Sequence, residues 1–363
     1  MAKSGMLSVM PYERIDPSRI TVQPLAERRS FIDIRTTALD PSADIAPLPG
    51  ALDAQIARLA DRMKRAKVSG ASVVLAYGAH VIKNGCGPVL IELIRRGYVT
   101  HLVTQGAGII HDWEFAFQAT SSESVRDNAP VGRFGTWDEI GRAIHAAALY
   151  GASHDMGLGQ AVGQFILRDG LGDVRCGHPF KRYSVSAAAA EHGVPLCVLP
   201  GVGYDIYCCH PGYTEDVAGA IGRTAGRDFH TLCHAITQLT GGVYLSVGSA
   251  IMSPQVFEKA FSIANNLLIG QPPEGQPPEG QSPEVGKAIH DHHIAIVDIQ
   301  DGGGWDWSQG EPPKEHPAYY LRFCKSFYRM IETPAGRGTV DYLQADNRVV
   351  LAGLVRALGG NGG

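Results

Sequence analysis

The sequence predicts an α/β fold built on a doubly wound, mostly parallel sheet. Val73–Glu114 contains an apolar strand, a turn with glycines at Gly78 and Gly85, an Ile- and Leu-rich helix, and a second strand running into Gly106-Ala107-Gly108. That order is the sequence form of a βαβ unit, which implies parallel strands and a ligand crevice at their carboxyl edge. Strand-like and helix-like stretches then alternate almost to the end of the chain, the pattern of a doubly wound sheet. With 363 residues, 44% hydrophobic and 19% charged, the chain can bury the core such a sheet needs.

Residues 1–50 are rich in Pro, Asp and Ser and read as an extended N-terminal arm, with residues 51–363 forming one α/β domain. Leu52–Val68 is an amphipathic helix, because Ile56, Leu59 and Met63 fall on one face. Strands are predicted at Ser72–Ala76 and His101–Thr104. Helices follow at Trp137–Tyr150, Gly159–Arg168 and the Ala-rich Tyr183–His192. Pro195–Leu199 reads as a buried strand, followed by two helical stretches, Thr214–Arg223 and Asp228–Leu239. Strand Gly242–Val247, helix Gln255–Leu268 and strand Ile294–Asp298 continue the alternation. Helices Ala318–Ile331 and Asn347–Leu358 end it. Gly270–Glu284 repeats GQPPE, GQPPE, GQSPE; its prolines prevent a helix, so 270–287 is expected to be a flexible surface insertion.

A formal charge of -4 and a pI near 6.4 argue against nucleic-acid or anionic-membrane partners, which need a concentrated basic surface. Residues 1–19 have no continuous apolar core of the signal-peptide kind, and no apolar run is long enough to span a bilayer. Seven scattered cysteines without a CxxC suit a reducing cytoplasm.

Five stretches, in order, resemble the deoxyhypusine synthase family over roughly residues 70–360. They are AYGAHVIKNG (Ala76–Gly85), VTQGAGIIHD (Val103–Asp112), YSVSAAAAEHGVPLCVLPGVGYDIYCCH (Tyr183–His210), TGGVYLSVGSAI (Thr240–Ile251) and DYLQADNRVVLAGLVRAL (Asp341–Leu358). The resemblance implies a Rossmann-like fold that binds NAD and assembles into tetramers with active sites between subunits. It also implies oxidation of an amine and transfer of an aminobutyl group through a lysine imine. Here, however, Ile251 takes the place of the family lysine, and an isoleucine cannot form an imine. Ile110 and His111 likewise replace an acidic pair. The expectation is therefore a divergent homo-oligomer, dimer or tetramer, that uses NAD to oxidise or rearrange a small polar or amine-bearing metabolite without imine transfer. A Cys/His hydrolase or lyase, with or without zinc, and a non-catalytic nucleotide-binding protein are the alternatives.

The candidate site follows from these motifs. Gly78, Thr104, Gly106, Ala107, Gly108, Gly241 and Gly248 are expected to cradle the dinucleotide at strand ends. His210 would manage protons with Asp205, which would fix its tautomer or pair with a cationic substrate. His80 fills the slot of the family's cofactor-facing asparagine. Lys83 reads as a phosphate or carboxylate clamp, a relocated imine lysine, or a solvated charge. Asp112 matches a family position, and Asp301 and Trp305 would enclose the substrate in the loop Asp301–Trp307. Cys208 and Cys209 read as buried thiols, since neighbours on an extended segment point apart. His230 and His234 read as packing histidines, and His290, His292 and His293 as a surface cluster. No metal ligands are assigned.

Overall fold

The computed structural model describes residues 12–270 and 285–359. Its main sheet has six strands, β1 Val73–Tyr77, β2 His101–Thr104, β3 Leu196–Val198, β4 Val243–Val247, β5 His293–Asp298 and β6 Thr339–Gln344. Neighbours run in the order β6-β5-β4-β1-β2-β3, and every pairing is parallel. Read from the other edge this is 3-2-1-4-5-6, the order of a dinucleotide-binding Rossmann sheet. The α/β, doubly wound expectation holds, and the sheet is Rossmann-like.

Strand alternation builds the layers. Val73, Leu75 and Tyr77 of β1 pack into one core, while Val74 and Ala76 pack into the other. The first core is covered by α1 Gly50–Ser69, α3 Gly87–Arg95, α4 Gly106–Gln118, α5 Asp138–Ser153, α6 Leu158–Leu167, α7 Val185–His192 and α11 Asn347–Gly359. The second lies beneath the end of α8 Glu215–Thr237, α9 Met252–Ile269 and α10 Arg322–Tyr328. A short α2, Ala79–Lys83, leaves the end of β1.

Several expectations shift. Thr214–Arg223 and Asp228–Leu239 form a single helix, α8, despite Gly222 and Gly226 in its interior. Ala318–Ile331 is not one helix but a 3-10 turn at Pro317–Tyr320 followed by the short α10. Strand β6 is an addition that the sequence reading passes over. Within residues 12–49, Leu25 and Ile34 are buried, and Ile32–Asp33 pairs antiparallel with Thr120–Ser121. The repeats at 271–284 lie outside the described residues. Among the described residues no helix is long and apolar enough to cross a membrane.

Candidate functional site

The chain leaves β1 toward β2 on one side and β4 toward β5 on the other, so these adjacent strands form a topological switch point. Ligands of open α/β sheets bind beyond the carboxyl ends of such strands. A Cβ on Gly78 would lie 2.0 Å from the Gly248 carbonyl oxygen, so the two strand ends meet only because residue 78 is glycine. Gly248 itself has φ +56, a conformation that side-chain-bearing residues rarely adopt. Next to this contact is a cleft of about 360 Å³, lined by residues including His80, Asn84, Gly248, Asp298, Asp346 and Asn347.

Each group in the cleft has a defined state. Asp298 ends β5, and its Oδ1 accepts the Gln300 N–H at 3.0 Å. The Arg348 guanidinium bonds Asp346 at 2.8 Å and holds that carboxyl below the usual carboxylate range. Asn84 Nδ2 donates to Asn347 Oδ1 at 3.2 Å. Asp298 therefore remains the cleft acid without a cationic partner among the described residues. Sequence reading missed Asp298, Asp346 and Asn347. The available signal was an acid at the end of an apolar strand and an Asp-Asn pair opening the last helix.

On one flank, α2 packs against α4. His80 is exposed and Lys83 is half-buried, three residues apart on α2. Across from them His111 Nδ1 lies 2.7 Å from Ser121 Oγ, and the Ser121 hydroxyl donates to Glu114. Glu114 accepts two bonds from Arg28, at 2.6 and 2.8 Å, with both side chains buried. Because the one Ser121 hydroxyl hydrogen goes to the carboxylate, His111 donates through Nδ1 and keeps its lone pair on Nε2. Burial pushes His111 down to about 4, Glu114 opposes this, and Lys83, Arg28 and His80 push it further down.

The glycine turn after β2 is closed. A Cβ on Gly106 would lie 2.2 Å from the Asp205 carboxylate, which accepts the Gly201 N–H at 2.9 Å and the Tyr207 hydroxyl at 3.1 Å. Burial nevertheless raises the Asp205 carboxyl above its ordinary range, against those bonds and the Ala107 N–H. The anion position at the start of α4 is thus filled by the chain's own carboxylate. A Cβ on Gly108 would lie 2.1 Å from Thr104 Oγ1, which is buried and donates to the Tyr77 carbonyl at 3.0 Å. Gly106, Ala107, Gly108 and Thr104 therefore serve packing here rather than an open cradle. Replacing Gly108 with Leu is expected to destabilise the fold by about 1–3 kcal/mol through overpacking. A melt without ligand checks this, and an unchanged midpoint would contradict the packing role.

Other candidates are corrected. Asp205 is not the bonded partner of His210: Nε2 of His210 lies 3.4 Å from Asp138 Oδ1, and Nδ1 accepts the Gly212 N–H at 2.9 Å. The ring stands edge-on to His145 at 5.2 Å, with Gly141 leaving room for it. Asp112 is buried, accepting Ser184 Oγ and the N–H groups of Val185 and Ser186 at the start of α7, so no substrate contact remains for it. Gly241 precedes β4, at the amino edge, so that the whole strand, roughly 17 Å at the per-residue rise of a strand, separates it from the crevice. Asp301 and Trp305 line a different cavity, about 390 Å³, with Trp307, Tyr328 and Tyr342 beside edge strand β6. Trp305 Nε1 donates to the Gly310 carbonyl at 2.9 Å, and Asp301 accepts the Gly303 N–H at 2.7 Å.

His230 and His234 are exposed on α8 rather than packed. His292 and His293 are buried rather than on the surface: His292 Nε2 donates to the Met330 carbonyl at 3.0 Å, and His293 Nδ1 bonds Thr339 Oγ1 at 2.9 Å. Burial raises the Cys209 thiol, and Cys208 raises it further, so it gains no thiolate character. Among the described residues no cluster of three or more His, Cys, Asp or Glu is placed to hold a metal ion.

A family model described as arginine dihydrolase ArgZ-like, C-terminal, Rossmann fold matches residues 57–176, about a third of the chain. No curated protein matches. Similar solved structures include AgrE in ternary complex with ornithine and NAD+, at 15% identity and a TM-score of 0.44, covering 86% of this chain and 34% of that one. The apo structure of ArgZ, an arginine dihydrolase from cyanobacteria, shares 17% identity with a TM-score of 0.44, over 85% and 33% of the two chains. A provisional deoxyhypusine synthase from Entamoeba histolytica shares 9% identity with a TM-score of 0.41, over 85% and 88%. The chain thus spans about a third of the length of AgrE and ArgZ.

Proposed function

We propose that the cleft between the ends of β1 and β4 binds NAD or a related dinucleotide. The protein then oxidises or rearranges a small polar, amine-bearing metabolite. The observation that carries this reading is the cleft's position at the switch point of a 3-2-1-4-5-6 parallel sheet. Its volume suits part of such a ligand. The match of residues 57–176 to a Rossmann-fold family model agrees with it.

The residues present fit a dinucleotide at this cleft and not at the turn after β2. Gly248 leaves the backbone uncovered, Asp298 offers an acceptor for a ribose hydroxyl, and Asn347, whose Oδ1 is taken by Asn84, offers its Nδ2 as a donor. Asp205 closes the start of α4, so a pyrophosphate would have to lie toward β4 instead. NAD, when bound, supplies a hydride acceptor; the chain's own groups orient the substrate and hold protons. Asp298 is the group best placed to pair with a substrate ammonium, because no cation among the described residues neutralises it. His210, engaged by Asp138 and Gly212, supports the fold around α5 in this reading. Val202, Tyr204, Ile251 and Ile299 are large, exposed apolar residues on loops beyond the strands, which supports assembly into a dimer or tetramer.

Thermal denaturation with and without NAD+ or NADH tests the reading. A ligand at about 100 times its dissociation constant should stabilise the protein by about 2.7 kcal/mol. Asp298→Ala is expected to abolish turnover of an amine substrate. Stabilisation by no dinucleotide at all would refute the reading and leave the fold without this use.

A further inference from the structure

We propose that the free edge of β6 binds an extended, basic segment of another protein, which joins the sheet as a further strand. The proposal stands apart from the dinucleotide reading. An unpaired sheet edge is a template for strand addition, and proteins commonly cover or blunt the edges they do not use. This sheet has two edges, β3 and β6, and they differ. The Leu102 N–H bonds the Pro195 carbonyl and the Leu199 N–H bonds the Thr104 carbonyl, so the alternate residues Leu196 and Val198 face outward. Asp228 Oδ2 accepts the Val198 N–H at 2.9 Å, and a Cβ on Gly159 would lie 1.8 Å from the Leu196 carbonyl oxygen. The β3 edge is thus closed by α6 and α8.

The β6 edge is open. The N–H groups of Thr339 and Ala345 bond the carbonyls of His292 and Asp298, at 2.8 and 2.9 Å. By the alternation of a parallel ladder, Val340, Tyr342 and Gln344 turn their backbone groups outward. Gln55 Nε2 donates to the Tyr342 carbonyl at 3.0 Å, while the three outward N–H groups have no acceptor among the described residues. Two cavities of about 320 and 390 Å³ follow this edge and share Trp307, Tyr328 and Val340, so they form one groove. Trp305, Trp307 and Tyr328 offer aromatic faces that suit the stems and heads of Lys and Arg. Asp301, Asp306 and Asp341 line the larger cavity, and among the described residues no lysine or arginine does. Arg58 offsets one of the three, at 3.5 Å from Asp341, and Arg337 in the smaller cavity is paired with Glu332 at 3.1 Å. The groove is therefore acidic and favours a basic occupant. A second copy paired edge to edge would bring the same carboxylates together and be repelled.

Titration calorimetry with a short capped peptide alternating Lys and Val tests the proposal. One control peptide replaces every Lys with Glu. The other methylates the backbone nitrogens, which removes the N–H donors and keeps the charge. Wild type should bind the first peptide and neither control. Val340→Pro removes one outward N–H, a change an edge strand tolerates because its other ladder is untouched, and should weaken binding about tenfold. Asp301→Asn should weaken it as well and reduce its salt dependence. Unliganded melting midpoints check that the variants fold. If Val340→Pro does not, the methylated peptide still tests the backbone bonds on wild type. No binding of the Lys-Val peptide, or equal binding of its methylated form, would overturn the proposal. A dimer of this chain that Val340→Pro dissolves, with no peptide bound by wild type, would also overturn it and assign the edge to a second copy.

Discussion

Arg28→Ala is expected to destabilise this protein by about 3–5 kcal/mol, the range for breaking one side of a buried ion pair. Both Arg28 and Glu114 have side chains 1% exposed. The pair is bidentate, and Ser121 occupies a further lone pair of the carboxylate. Removing the guanidinium leaves Glu114 charged and dry, while Trp137, over which Arg28 lies at 5.8 Å, loses its partner. The effect should extend to the N-terminal segment, since Arg28 ties it to α4. Chemical denaturation measures the loss, and limited proteolysis should show earlier cleavage within residues 12–49. The double replacement Arg28→Met with Glu114→Leu should recover much of the stability, because an apolar pair of similar size avoids the desolvation cost. An Arg28→Ala variant as stable as wild type would show that the pair contributes nothing net.

Acid should unfold the protein well above the range where its carboxylates protonate. Burial pushes His145, His178, His292 and His293 each down to about 4 from an ordinary value near 6.5. Between those values the unfolded chain binds protons that the native state cannot accept. Stability is therefore full above about pH 6.5 and falls as pH drops toward 4. At 1.36 kcal/mol per pKa unit, each buried histidine forfeits at most about 3 kcal/mol. Asp228, whose carboxyl burial raises to about 7, gains stability over the same range and offsets about one of them. The net loss is a sizeable fraction of the ~5–15 kcal/mol of a typical domain. Melting midpoints from pH 7.5 to 4.5 should fall steeply below about 6.5. His292→Gln, which retains a donor for the Met330 carbonyl and cannot titrate, should reduce the slope. A flat profile to pH 4.5 would mean these imidazoles accept protons in place.

What the sequence made legible follows from how strongly each element is buried. β1 and β4 are buried at every residue, so their apolar runs VVLAY and VYLSV stand out. β6 is an edge strand with only Leu343 buried, and its TVDYLQ offers too little apolar pattern to declare a strand. His292 and His293 look like surface residues because histidine is polar. Their burial depends on Met330 and Thr339, far along the chain. The Arg28–Glu114 pair spans 86 residues and leaves no local signature. The switch-point glycines were visible, but not that one of them, Gly78, exists for contact with Gly248. Nor could any spacing rule show that Asp205 folds back onto Gly106 and closes a turn that resembles a phosphate cradle.

The most direct measurement is a crystal structure of the protein soaked with NAD+. Density for the dinucleotide is expected beyond Gly78 and Gly248, with a ribose against Asp298 and Asn347 and with Asp205 still seated on Gly106. Density at the start of α4 with Asp205 displaced, or only in the aromatic cavity beside β6, would contradict the placement of the site in the β1–β4 cleft.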